Sequence, residues 1–450
     1  MPHSVPSSSN KPRVLIVGAG LGGLTLALLL LKGGIPFLIV ERAKEVRPLG
    51  SALSLGANLA RLLEQIGLLE EFKAIGKPYT QVKTLDGDLN SLFTMDFTGT
   101  VDIGNSKEYI VARPDLYDML WRQIPREYIL MQKKVLSFEQ NDEGVTIRCS
   151  DNSEYVGDIL VGADGAYSAV RQNLYKELKL AKKLPASDDV PLPFSCVCLV
   201  GQTTPQNPED FPHLQLELSQ FITVLGENNT YKFLTKETSK SNDSFRNSEW
   251  GPEAAEVMCK EVRHFKVPGG KDGQILTIGD LIDRTPNDLI SKVMLEEKIF
   301  DTWYGGRTVL LGDACHKLNP AGGAGALSAM HDAIALANWI CAVQKTDVPE
   351  LEKIFREYYV ERLPSVQAQF ATSNMLKNVG GKTITAAITR AVFKRSPAWL
   401  WRKVMTKRTS ERPIVSFLPL VEDQGSVKPK YQPSLHKTLA IHEHKRAAAI

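Results

Sequence analysis

The chain lacks a hydrophobic run of membrane-spanning length. Its longest apolar stretch, Leu24 to Leu31, falls well short of the roughly 20 residues that a spanning helix needs. It also lacks a recognisable secretory leader, since MPHSVPSSSNKP is polar and rich in Pro and Ser, with no apolar segment. Paired-cysteine spacing is missing as well. Cys149, Cys196, Cys198, Cys259, Cys315 and Cys341 are scattered, and Cys196 and Cys198 alternate along an expected strand. Neither a disulfide framework nor a metal site is expected, which argues for a reducing, cytoplasmic location. There is no internal repeat and no RNA- or DNA-binding motif. Net charge is only +3, but it is unevenly spread. From Lys377 to Ile450 there are 15 Lys/Arg against 4 Asp/Glu, so the rest of the chain is acidic overall. A basic tail on an acidic body calls for an acidic partner surface, and a membrane suits it better than nucleic acid.

What is present begins at VLIVGAGLGGLTLALLLLKGGIPFLIVERA, Val14 to Ala43. An apolar run ends in Gly18, Gly20 and Gly23, a helix-like run follows, and a second apolar run ends in Glu41. The pattern predicts a strand, a glycine turn, a helix, a strand and an acid, with roughly 20 residues from glycine to acid. Gly18 permits the tight turn, Gly20 lets backbone N–H groups approach a pyrophosphate, and Gly23 lets helix and strand pack closely. The helix N-terminus offers partial positive charge to phosphates, and Glu41 can accept both ribose hydroxyls. An adenine dinucleotide is implied; which one is left open by this motif.

Three further motifs follow in order. Arg113 ends an apolar strand and opens a helix; by itself it reads as a solvated arginine. ILVGADGAYSAVR, Ile159 to Arg171, sets Asp164 at a strand's carboxyl end, though Asp-Gly alone is a common turn. LLGDACHKLNPAGGAGALSAMHDA is more specific. An apolar strand delivers Asp313 to a loop kept thin by Pro320, Gly322, Gly323 and Gly325, and a helix starts near Ala326. This suits a flavin: Asp313 can bond a ribitol hydroxyl, and N–H groups near Gly325 and Ala326 can stabilise negative charge on the reduced ring. His316 reads as a residue that orients the loop; Asp332 reads as a local cap or pairing partner and is given no role.

The ordered set GxGxxG…E, Arg, GADGxxSxVR and GDxxHxxxPxxGxGxxxxxxDA resembles the class A flavoprotein monooxygenases, of the para-hydroxybenzoate hydroxylase type. YGGRTVLLGDACHKLNP resembles in particular the paxM-like fungal FAD-dependent epoxidases and hydroxylases of secondary metabolism. The likeness runs from about Arg13 to Trp339. It implies that Glu41 binds the adenosine ribose with Arg42 near it, that Ser54 stands where glycine often lies beside the flavin, and that Arg113 contacts the pyrophosphate or ribitol. It further implies that Asp164 serves both FAD and a passing nicotinamide cofactor, and that Asp313 and Ala326 contact the flavin end. The sequence AGGAGA after Pro320 departs from the bulkier or more polar versions common in the family, so the shape beside the ring stays open. Tyr231 falls where the family often has an aromatic near the substrate, and it is the candidate catalytic residue, although a core or surface tyrosine that needs no function is the simpler reading.

The expected fold is α/β: a Rossmann-type FAD-binding domain (13–84, 111–184, 286–376), an interleaved β-sheet substrate domain (85–110, 185–285), a disordered tail (1–12) and a helical, basic C-terminal extension (377–450). Only one dinucleotide fingerprint occurs, so NADPH or NADH is expected as a transient co-substrate. The resemblance implies reaction of reduced FAD with O2 to a C4a-hydroperoxide that epoxidises or hydroxylates a lipophilic terpenoid, meroterpenoid, polyketide or indole-type molecule. Two other readings stand beside it: an FAD-linked reductase of the geranylgeranyl reductase type, and a non-catalytic flavin-binding membrane protein. Segment 383–408 mixes apolar residues, two tryptophans and many cations. It reads equally as an interfacial membrane helix or as helices docked on the body, broken at Pro397.

Overall fold

The computed structural model describes residues 11–45, 52–85, 88–204, 252–267, 274–319, 323–379 and 384–447, with short strands at 3–4, 216–219, 222–224 and 231–237. Four parallel strands form the centre of the nucleotide-binding domain: β1 (Val14–Val17), β2 (Phe37–Val40), β3 (Ile159–Gly162) and β4 (Thr308–Leu310). Their order across the sheet is β4-β3-β1-β2. Tyr304–Gly305 extends one edge as an antiparallel hairpin, and Ile129–Leu130 extends the other in parallel. The strands are near-continuous apolar runs because layers on both faces of a parallel sheet exclude water; β1, β3 and β4 are buried throughout.

Helix α1 (Leu21–Lys32) connects β1 to β2, α2 (Arg113–Trp121) follows the strand Glu108–Ala112, α3 (Ala169–Leu180) follows β3, and α4 (Gly325–Ala342) follows β4. In α1 every residue from Leu21 to Leu30 is buried, and α4 is buried from Leu327 to Ala342 apart from Ala329. A helix that is apolar all round belongs inside; α1 packs against α4, and each fully buried leucine contributes about 1.5–3 kcal/mol. Gly22 makes this contact close, since a Cβ there would lie 2.8 Å from Leu311 Cδ2 and 3.1 Å from Ala329 Cβ.

A second, seven-stranded sheet runs in the order Ser291–Glu296, Phe194–Gln202, Tyr231–Glu237, Ile222–Val224, Leu216–Ser219, Gln81–Leu85, Ser91–Asp96. It draws strands from three stretches of the chain, so the two domains are interleaved. The β-sheet expected over 185–285 is interrupted by a helix, Pro252–Val262. Ala255, Met258, Cys259 and Val262 are buried there at helical spacing, and the 3.6-residue period outweighs the surrounding strand pattern. Of the N-terminal segment, His3 and Ser4 pair in parallel with Tyr155 and Val156.

The C-terminal extension is helical. Beyond the long helix α5 (Val348–Val379) come α6 (Ile384–Arg395), α7 (Ala398–Ser410) and α8 (Pro433–Ala447), with Pro397 at the N-cap of α7. Much of it docks on the body. Ile414, Val415 and Ser416 are buried, and Asn338 of α4 donates to Ile414 O and accepts from Ser416 N. Phe393 of α6 stacks on Phe93 with centroids 4.9 Å apart. Among the described residues, no helix is long and apolar enough to cross a membrane.

Candidate active site

The carboxyl ends of β1 to β4 bring the glycine turn with Glu41, the Asp164 loop and the Asp313 loop to one edge of the sheet, where ligands of open α/β sheets bind; Arg113 follows Glu108–Ala112, a strand of a separate three-stranded sheet. Gly18 follows β1 with φ +105°, and a Cβ there would meet Ala163 O, just after β3, at 2.5 Å. A Cβ on Gly23 would lie 2.1 Å from Gly18 O, so α1 rests directly on the turn. Gly20 differs: a Cβ there would meet nothing within 4 Å. No side chain caps the start of α1, so its first-turn N–H groups face that open space. Glu41 ends β2. Its Oε2 accepts from Ala19 N at 2.9 Å and its Oε1 from Ala43 N at 2.8 Å, which fixes the carboxylate under the glycine turn and leaves each oxygen with further acceptor capacity. Arg42 beside it is exposed.

Arg113 joins the motifs. Burial lowers its pKa, and Asp313 and Tyr117 pull it back up. Tyr117, one turn further along α2, is pushed up first by burial and then by Glu41, against Arg113. A line of Glu41, Tyr117, Arg113 and Asp313 therefore crosses from the first motif to the last. Asp313 is paired with Lys317 Nζ at 2.5 Å, a partner one turn on that the sequence reading did not single out.

Asp164 sits after β3, and its Oδ2 accepts from Ala169 N at 2.6 Å and Val170 N at 3.2 Å, capping α3 together with Ser168. Burial pushes its carboxyl pKa up, and its enclosed Oδ1 has no hydrogen-bond partner among the described residues. Arg171 binds this loop to the Asp313 loop, donating to Ala166 O at 2.6 Å and Ala314 O at 2.8 Å. Helix α4 begins at Gly325 without a side-chain cap, and a Cβ on Gly323 or Gly325 would meet open space. Ala326 is half-buried in its first turn. Pro320 and Gly322 lie outside the described residues.

Behind the loop lies a fully buried hub. Asp332 Oδ2 accepts from Gly312 N at 3.1 Å and lies 2.6 Å from His316 Nε2, while Oδ1 accepts from Arg362 Nε at 2.7 Å. Despite burial, these partners hold the Asp332 carboxyl at about 2. His316, expected to orient the loop, is buried and bonded to Asp332 in this hub. Arg362, on α5, carried no sequence signal. Cys315, His316 and Asp332 lie close enough to be considered as metal ligands, but Asp332 is already shared between an arginine and a backbone N–H, an arrangement for a hydrogen-bonded carboxylate rather than a cation.

Ser54 joins a different group. Its Oγ lies 2.6 Å from Tyr79 Oη and accepts from Arg408 Nη2 at 2.9 Å, and Arg408 also donates to the buried Glu108 at 2.9 Å. Arg408 comes from α7, so the extension reaches the strand that runs into Arg113. Tyr231 opens a strand of the seven-stranded sheet; its side chain lies outside the described residues. A cleft of about 500 Å³ lies elsewhere, between helix Pro252–Val262 and Ile278–Asp283, lined by Lys260, Arg263 and Asp283 among others. It contains none of the motif residues and is not the candidate site.

The profile of the FAD binding domain family matches residues 11–195 and 278–373. The chain belongs to this family and is an FAD-dependent monooxygenase. It is similar to the FAD-dependent monooxygenase ptmM of Penicillium ochrochloron, 29% identical over 394 residues that cover 82% of this chain and 89% of ptmM. It is also similar to penM of Penicillium crustosum, 30% identical over 387 residues, with 81% and 77% covered. In fold it is similar to Klebsiella pneumoniae HpxO complexed with FAD and uric acid, with a TM-score of 0.70, 19% identity, and 89% and 97% of the two chains covered. The residues of this monooxygenase fit FAD: Gly20, Gly323 and Gly325 leave a cradle open, Arg113 is a half-buried cation at that edge, and Asp164 keeps an unpartnered acceptor.

Proposed function

We propose that this monooxygenase uses NADPH or NADH and O2 to epoxidise or hydroxylate a lipophilic small molecule of terpenoid, meroterpenoid, polyketide or indole type. The observation that carries the reading is that the glycine turn with Glu41 and the Asp313 loop lie at the carboxyl ends of strands of one parallel sheet, with the open cradle at Gly20, Gly323 and Gly325 and the uncapped start of α4 following the Asp313 loop. FAD, when bound, would supply the redox chemistry, with NADPH or NADH as hydride donor and O2 as oxidant, one oxygen atom going to the substrate and the other to water.

The chain's own residues bind and orient. Glu41 accepts the adenosine ribose hydroxyls, with exposed Arg42 at the rim. Gly18, Gly20 and Gly23 bring the first-turn N–H groups of α1 to the pyrophosphate, and Arg113 adds a cation to it. Asp313 accepts from a ribitol hydroxyl through the oxygen that Lys317 leaves available. The N–H groups of Gly325 and Ala326 face negative charge on the reduced ring. Asp164 serves the cofactor and the passing nicotinamide. Ser54 acts from the wall beside the ring, held by Tyr79 and Arg408. Tyr231 belongs to the substrate side. Contact of 383–408 with a membrane agrees with this substrate class, because lipophilic molecules partition into bilayers.

The test is consumption of NADH and NADPH by the purified protein across terpenoid, phenolic and indole substrates, with isotope-labelled O2. Label in the product supports the reading; turnover that leaves the product unlabelled overturns it in favour of a reductase. In parallel, Asp313→Ala is expected to lose FAD on gel filtration; retention equal to wild type removes Asp313 from the cofactor site.

A further inference from the structure

Between Arg362 and Ser410 the sequence contains ten Lys/Arg and no Asp or Glu. In this stretch α6 presents a narrow apolar ridge. Ile384, Ile388 and Val392, spaced four apart on one face, are 81%, 58% and 55% exposed, and Trp399 at the start of α7 is 68% exposed. Lys394, Arg395, Lys403 and Lys407 are also exposed. The opposite face is anchored: Phe393 stacks on Phe93 and lies 5.8 Å from Trp401, Met405 is buried, and Arg408 pairs with Glu108. The ridge is therefore held outward by the fold. Large apolar side chains seldom stand exposed in a row unless something covers them.

We infer that this face of α6 and α7 docks on an anionic phospholipid bilayer. Three occupants can be compared by charge and polarity. A second copy of the same face would bring like charges together, because a two-fold contact pairs a patch with itself. A nucleic acid would meet the cations but offer nothing apolar to the isoleucines. An anionic lipid surface satisfies both: headgroups pair with Lys394, Arg395, Lys403 and Lys407, and the acyl boundary takes Ile384, Ile388, Val392 and Trp399. Arg402 contributes less, since Asp102 already pairs with it at 2.7 Å. The inference extends the lipophilic-substrate reading by naming the surface on which the enzyme would meet such a substrate, but it stands or falls separately.

The experiment is vesicle co-flotation of the FAD-loaded full chain, with no substrate present. Binding to phosphatidylcholine vesicles containing phosphatidylserine, with much weaker binding to phosphatidylcholine alone and loss in high salt, is the expected result. K394Q/R395Q is expected to weaken binding roughly 30-fold, from about 1 kcal/mol for each cation near an anionic surface. I388E/V392E is expected to abolish binding while keeping the flavin absorbance of wild type, which shows that it folds. No binding to the phosphatidylserine vesicles overturns the inference. So does equal binding by I388E/V392E, or concentration-dependent dimerisation that I388E/V392E abolishes, which would make a second copy the occupant. Because substrate is absent, a negative result leaves the oxygenation reading untouched, and unlabelled product leaves this one untouched.

Discussion

Asp332→Asn removes the charge from the centre of the buried hub and leaves Arg362 facing a neutral amide. Two routes give the magnitude. Burial raises the Asp332 pKa and its partners lower it, to a net value of about 2; against an unfolded value near 3.9, a depression of nearly two units stabilises the fold by about 2.5 kcal/mol. The sign is that of a depressed carboxylate: the contribution is complete above about pH 4 and disappears as pH falls through about 2. Removing the partner of a buried cation costs more, about 3–5 kcal/mol, because the remaining charge is left without its counter-ion. Asp332→Asn is therefore expected to cost at least 3 kcal/mol in urea unfolding followed by flavin fluorescence. Because Asp332 also holds Gly312 N and His316, FAD release should precede global unfolding. Asp332→Leu/Arg362→Met, which removes both charges, is expected to recover a large part of the loss. A cost for Asp332→Asn below about 0.5 kcal/mol, or a double variant no better than the single one, would refute the argument that Arg362 is a charge needing compensation.

Three other outcomes follow from particular contacts. Gly23→Ala forces a Cβ to 2.1 Å from Gly18 O, so the protein should purify without flavin while far-UV circular dichroism still reports a folded chain. His331 is held neutral by burial and by Arg362, with its pKa lowered to about 4; protonation of the unfolded chain should therefore cost up to about 3 kcal/mol of stability between about pH 6.5 and 4, and His331→Gln should flatten that part of the stability–pH curve. Arg408→Met leaves Glu108, 2% exposed, without its cation, and should lower stability by about 3 kcal/mol, read as a lower Tm that Glu108→Gln in the same chain partly restores.

The β1–α1–β2 unit and Glu41 were legible because strand, turn, helix and acid are contiguous, and Gly18 and Gly23 answer local steric demands. Asp313 and the start of α4 were legible for the same reason, with the helix opening at Gly325 rather than Ala326. The helix Pro252–Val262 was missed because its buried positions lie within a stretch of strand-like composition. Ser54 could be placed by resemblance, but its hydroxyl partners could not, since Arg408 lies 354 residues away.

The sequence by itself determined the nucleotide-binding strands, the four motifs and the basic, acid-free stretch of the extension, all of which are short-range patterns of polarity and glycine spacing. Only the tertiary structure decided which distant charges come together: Arg362 with Asp332, Arg408 with Glu108, and Asp313 within electrostatic reach of Arg113. It also decided which face of α6 stays outward. The physical reason is that a buried charge must find a counter-charge wherever the chain places one. That requirement acts through space and writes no period into the sequence.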